Sequence, residues 1–233
     1  MGIDRREVLA ANLAEVRQRI AAACEAAGRG QGEVTLIAVT KTFPASDVRL
    51  LASLGVRDVG ENRDVEAAPK AAACADLDLT WHFVGQLQTN KAASVARYAS
   101  VVHSVDRLRL VHALGSGARK AGRTLRCLIE VSLDGDPERG GAIAADVPEL
   151  ARAIADEAGL TLSGVMAIAP LGADPVKAFA SLGESAAAVR AVEPDASMIS
   201  AGMSGDLEAA VAAGATHVRI GTALLGDRGP IVM

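Results

Sequence analysis

Aromatic side chains are scarce in this 233-residue chain, which has three Phe, one Trp and one Tyr. A core must therefore be packed from Ala, Val, Leu and Ile, which is feasible because half of the residues are hydrophobic. Paired cysteines are missing. Cys24, Cys74 and Cys127 are odd in number and widely spaced, and no CxxC is present to suggest zinc or redox chemistry. They read as small buried residues in a reduced compartment. Excess positive charge is missing: the formal net charge is −4 and no basic run stands out, so no nucleic-acid partner is expected. No apolar run reaches the roughly 20 residues that would span a bilayer. Residues 1–7 lack the apolar core of a signal peptide. No Pro/Gly/Ser-rich linker divides the chain, so one domain over residues 1–233 is expected. Together these absences point to a soluble cytoplasmic protein.

What is present is a repeat of apolar strand, short loop and amphipathic helix. The first strand, over residues 34–41, is a β-branched run that ends abruptly in Lys41, the pattern of a strand buried on both faces. Further strands are expected over 56–62, 79–85, 101–105, 126–133, 162–169, 196–202 and 217–224. Helices are expected near 46–54, 64–73, 88–98, 106–121, 146–157, 176–192 and 204–213. Several end in glycine, at Gly55, Gly122, Gly159 and Gly214. A long helix over about residues 4–28 comes first, outside the repeat. The fold class is α/β. Eight strands with intervening helices is the count of a (β/α)8 TIM-type barrel. The competing architecture is a doubly wound open sheet. Even spacing and the lack of Gly-x-Gly-x-x-Gly after the first strand favour the barrel.

A parallel barrel keeps its chemistry at the carboxyl ends of its strands. That rim would collect Lys41, Glu61-Asn62, His82 with Gly85-Gln86, His103-Ser104, 166–170, 200–204 and 219–222. His82 and His103 each read as a hydrogen-bonded scaffold residue rather than a catalyst. Ser200-Ala201-Gly202-Met203-Ser204-Gly205-Asp206 ends a strand and opens a helix; small residues and a capping Ser204 suit an anion. Gly221 and Thr222 after the last strand offer amides and a hydroxyl to the same anion, where barrels often bind phosphate. Of the five lysines, Lys41 alone ends a buried strand. An apolar setting favours its neutral, nucleophilic form. A lysine and a phosphate site at one barrel mouth suggest pyridoxal 5′-phosphate.

The blocks 38–41, 60–62, 81–91, 104–106, 164–168, 202–206 and 218–222 together resemble the pyridoxal phosphate homeostasis protein family. That family's barrel is similar to the N-terminal domain of alanine racemases, the fold type III class of pyridoxal-phosphate proteins. By resemblance, Lys41 carries the Schiff base and Arg219 faces the pyridine nitrogen. Ser204, Gly221 and Thr222 hold the phosphate with Ser200 close by, and Asn62 and Met166 join the site. Arginine cannot protonate the ring nitrogen as an acidic partner would, which weakens the electron sink. Racemase relatives take a second base, a tyrosine, from a separate β domain. Here the sequence stops at Met233, and the one tyrosine, Tyr98, falls in an outer helix. The implied role is control of the vitamin B6 pool, with apo-enzymes that use the cofactor as acceptors. The chain is expected to be monomeric. The rival reading is a single-domain amino-acid racemase; a cofactor-free phosphosugar isomerase or aldolase is the third. Departures from the family pattern fall on the rim, at Arg63, Asp134–Gly141 and Ala169.

Overall fold

The computed structural model describes residues 4–136, 139–170 and 172–226. Pro137 and Glu138 of the departing rim loop lie outside the described residues.

Eight parallel strands close a barrel in sequence order: β1 (Thr35–Val39), β2 (Asp58–Glu61), β3 (Thr80–Phe83), β4 (Val101–Val105), β5 (Leu125–Glu130), β6 (Leu160–Met166), β7 (Met198–Ser200) and β8 (His217–Ile220). β8 pairs back onto β1, with Ile37 opposite Arg219. An open doubly wound sheet has no such pair, so the barrel is the architecture. The main helices are α1 (Arg5–Ala26), α2 (Ala45–Ser53), α3 (Asp64–Ala73), α4 (Ala92–Tyr98), α5 (Leu108–Ala121), α6 (Val147–Asp156), α7 (Pro175–Val192) and α8 (Leu207–Ala212). One short turn of helix, α9 (Thr222–Leu225), follows β8.

The expected strands are present but shorter at most ends. The run to Lys41 leaves the sheet after Val39, and the run expected to continue to 224 breaks at Gly221 and turns into α9. An apolar Ala-Leu-Leu run fits strand or helix equally by pattern, and the backbone at Gly221 (φ −112°, ψ −80°) decides it.

Side chains alternate between lumen and outer layer along each strand. Outward residues Ala38, Val59, Val218 and Ile220 pack against Leu9 and Leu13 of α1 and Val48 and Leu51 of α2. On the other side, Phe83, Val102, Ile129 and Val165 meet Leu110, Leu114, Leu150, Ile154 and Phe179. The lumen holds a small apolar cluster, Val101, Leu128 and Met166 with Met198, beside a run of buried polar groups. Cys24, Cys74 and Cys127 are buried and unpaired. Among the described residues no helix is long and apolar enough to cross a membrane, and no group of His, Cys, Asp and Glu could hold a metal ion.

α1 is the extra helix. Asp4 caps it by accepting from Arg6 N at 3.1 Å, and Leu9, Leu13, Val16, Ile20 and Cys24 make one buried stripe. Its polar side chains reach the loops after β7 and β8: Arg19 donates to Ser204 O (3.0 Å), Asn12 to Leu224 O (3.0 Å) and Arg5 to Leu225 O (2.9 Å).

Candidate functional site at the carboxyl ends of the strands

Lys41 stands two residues beyond β1, half-buried at the barrel mouth. Ile37 and Val39 face the lumen, where they meet Gly60, and Lys41 has the same parity. The next residue, Thr42, has φ +70° and is the one non-glycine residue with positive φ among the described residues. A β-branched residue pays strain in that region, and the turn it makes takes the chain away from the sheet directly after Lys41. Thr42 N donates to Glu66 Oε2 at 3.1 Å, which holds the turn.

Behind this turn lies a buried ion pair. Lys70 Nζ of α3 donates to Glu61 Oε1 (2.5 Å) and to Thr40 O (2.8 Å), and Thr40 Oγ1 donates to the same Glu61 oxygen (2.6 Å). Glu61 was expected on the rim beside Asn62. It faces outward instead, because Gly60 takes the lumen side and neighbouring residues of a strand point oppositely. Burial pushes the Glu61 carboxyl up, against the opposing pull of Lys70 and Thr40. Asn62 has the lumen parity. Its backbone leaves no room for any side chain at Gly85, where a Cβ would lie 2.1 Å from Asn62 O.

The loops after β7 and β8 lie side by side, since these strands are neighbours. Ala223 N, in the first turn of α9, donates to Ser204 Oγ at 3.4 Å, so the two expected anion-binding turns form one surface. Gly202 (φ +92°) permits the β7 turn to pack on α8; a Cβ there would meet Ala210 Cβ at 2.6 Å. The donor set, Ser204 and Thr222 hydroxyls with the opening amides of α9, suits a phosphate. The loop's carboxylate, Asp206, is turned back to accept from Met203 N at 2.5 Å.

Arg219 is buried under this surface. Its Nη1 donates to Ser200 O (2.8 Å) and Ser200 Oγ (2.7 Å), and its Nη2 to Ala167 O (2.9 Å). Burial lowers its pKa to about 10, which leaves it charged at neutral pH. Met166 is level with Ser200 on the adjacent strand and is buried. Lys41, Asn62, Met166, Ser200, Ser204, Arg219, Gly221 and Thr222 thus occupy one contiguous arc, β6-β7-β8-β1-β2. His82 and His103 do not join the rim. They lie deeper in the lumen, bonded to each other, with Ser200 on one side and Asp58 on the other.

One site residue was not anticipated. Glu130 ends β5 level with Met166, on the lumen side. Burial, then the nearby Asp106, push its carboxyl up to about 7, against the pull of Arg219 and Arg139. Strand parity could have found it: Glu130 is two residues after Leu128, a lumen residue.

The chain matches the family described as alanine racemase, N-terminal domain, over residues 10–229. The pyridoxal phosphate homeostasis protein of Mycobacterium tuberculosis is 46% identical, with 97% of this chain and 95% of that protein covered. PipY of Synechococcus elongatus, solved with pyridoxal phosphate bound, superposes with a TM-score of 0.82 at 35% identity, covering 94% of this chain and 100% of that one. The alanine racemase of Corynebacterium glutamicum shares the fold alone: TM-score 0.69 at 14% identity, covering 94% of this chain and 60% of that one.

Proposed function

Since the chain belongs to the pyridoxal phosphate homeostasis proteins, within the family of the alanine racemase N-terminal domain, we propose that it binds pyridoxal 5′-phosphate at the barrel mouth and serves the vitamin B6 pool without efficient catalysis. Lys41 would take the aldehyde, Arg219 would face the ring nitrogen, and Ser204, Gly221 and Thr222 would hold the phosphate. Ser200, Asn62 and Met166 complete the wall. When bound, the cofactor supplies an electron sink for carbanions beside an amino group.

The protein's own residues limit that chemistry. Arg219 donates only, so it can bond to a ring nitrogen but cannot supply the anionic partner that keeps such a nitrogen protonated. Tyr98 lies on α4, packed against the outer layers of the barrel, and reaches no lumen group. The observation that carries the binding reading is the bond from Ala223 N to Ser204 Oγ, which joins two phosphate-suited turns beside β1 and its Lys41. Protein incubated with pyridoxal phosphate and dialysed should stay yellow, and borohydride should fix the label on Lys41. Colourless wild-type protein with no labelled peptide refutes the reading.

The racemase reading has one observation in its favour. Glu130, with a pKa of about 7, holds or releases a proton at the mouth near neutral pH. It predicts exchange of an amino acid's α-hydrogen with deuterated solvent, lost in both Lys41→Ala and Glu130→Gln. No exchange across a broad set of amino acids ends it.

A further inference from the structure

The lumen contains one unbroken hydrogen-bond chain. Arg219 Nη1 meets Ser200 Oγ at 2.7 Å, Ser200 Oγ meets His103 Nδ1 at 3.0 Å, His103 Nε2 meets His82 Nδ1 at 2.8 Å, and His82 Nε2 meets Asp58 Oδ1 at 2.9 Å. It crosses from β8 through β7, β4 and β3 to β2, beginning under the mouth and ending at the amino-terminal foot of the barrel. Every member except Asp58 is buried; the Asp58 side chain is 25% exposed.

The carboxylate end fixes the direction of the bonds once both imidazoles are neutral. Asp58 as a carboxylate only accepts, so His82 carries its proton on Nε2 and donates to it. His82 Nδ1 must then accept from His103 Nε2, which leaves His103 Nδ1 to accept the Ser200 hydrogen. A lone pair of Ser200 Oγ remains for Arg219, which has no acceptor atom. Both imidazoles are neutral, as burial favours, and one tautomer of each satisfies all four bonds. A hydrogen on His103 Nδ1 would take the place of the Ser200 hydrogen and remove the constraint on the hydroxyl that receives Arg219.

We propose that His103 and His82 are positioning residues for Arg219: anchored by Asp58, they lock the Ser200 hydroxyl as an acceptor and so fix the plane of the guanidinium. Three of the five Arg219 hydrogens are then committed to Ser200 O, Ser200 Oγ and Ala167 O. The Nε hydrogen and one on Nη2 remain for whatever occupies the mouth. The consequence for a cofactor ring rests on the function proposed above; the positioning itself does not.

The experiment begins with 15N-labelled protein free of cofactor. Imidazole 1H–15N spectra should show His82 and His103 protonated on Nε2 alone, without titration between pH 8 and 6. A proton on Nδ1 of either, or an ordinary titration, overturns the chain. The Arg219 guanidinium should give separate Nη1 and Nη2 resonances, showing hindered rotation. They should merge in His103→Phe and separate again in His103→Asn, whose amide oxygen replaces Nδ1 as acceptor. Unmerged resonances in a folded His103→Phe protein overturn the positioning role. Should His103→Phe fail to fold, Asp58→Asn is read instead, at the partly exposed end: its amide allows His82 to reverse, and an unchanged tautomer pattern with unchanged Arg219 signals is the overturning result. Cofactor titration follows, with about tenfold weaker binding expected in His103→Phe and recovery in His103→Asn. A wild type that binds no pyridoxal phosphate refutes the proposed function while leaving the spectra to judge the chain.

Discussion

Lys70 and Glu61 show how a single pair shapes the site from behind. Both Thr40 O and Thr40 Oγ1 are tied to this pair, so the residue before Lys41 is fixed at two atoms. Removing one partner of a buried pair leaves an uncompensated charge, which typically costs about 3–5 kcal/mol. Lys70→Met should therefore lower the urea-unfolding free energy by about 3 kcal/mol at pH 7, with a smaller loss in acid, where Glu61 takes a proton. An equal loss at both pH values would show that lost packing, not lost charge, is responsible. Glu130 makes the opposite case. Burial, not a close cation, dominates at its carboxyl, and its folded pKa of about 7 lies above the ordinary carboxylate value. A raised acid pKa means that the folded state holds a proton the unfolded state releases, so this residue costs stability as pH rises toward and through 7. Glu130→Gln should stabilise the protein by about 2 kcal/mol at pH 8 and change little at pH 4.5. The motif blocks in the sequence placed Lys41, Ser204 and Arg219 near one another, yet put Glu61 on the rim and overlooked Glu130. Both errors come from grouping strand-end residues by position along the chain, where the pleat sends adjacent side chains to opposite faces.

At the scale of elements, α1 is more than a lid on the barrel. Its Asn12 and Arg5 bond the last carbonyls of α9, and its Arg19 bonds Ser204 O while pairing with Glu208. A four-residue helix has almost no stability of its own, so α9 depends on such tertiary bonds to hold its opening amides in place. Asn12→Ala should cost about 1 kcal/mol of stability and weaken pyridoxal phosphate binding several-fold, as measured by fluorescence titration. Binding unchanged in that variant would mean that α9 is set by the Gly221 turn alone. The apolar stripe of α1 was visible in the sequence at helical spacing. Its polar partners were not, because they are backbone carbonyls about 185 to 220 residues away, and carbonyls leave no mark in a sequence. The same limit explains α9: the break at Gly221 is a backbone event within an apolar run.

For the whole molecule, the strand–helix repeat made the barrel legible because the outward faces of the strands are mostly apolar, Glu61 of β2 excepted, and most helices bury one stripe against them. What fills the lumen was less legible. His82 and His103 look like isolated histidines in their strands and His217 merely opens β8, and only closure of the barrel brings the three together. Closure has a cost in acid. Burial lowers the pKa of His82, lowers that of His103 well below the usual value and takes His217 to about 4. In the unfolded chain all three protonate near pH 6.5. Below that value the unfolded state binds up to three protons that the native state refuses, so stability falls as pH falls. Glu130 opposes this with one proton held by the native state between its ordinary carboxylate value and about 7. His103 and His217 outweigh that one proton near pH 5.5, and His82 acts in the same direction while Glu61, also raised, acts against it, so stability falls with pH by roughly 1–2 kcal/mol per pH unit. Urea unfolding at pH 7.5, 6.5 and 5.5 should show stability nearly level over the first interval and falling over the second. His217→Leu should reduce the slope by about one proton, and a wild-type stability that is flat or rising toward pH 5.5 would show that the lumen admits protons while folded.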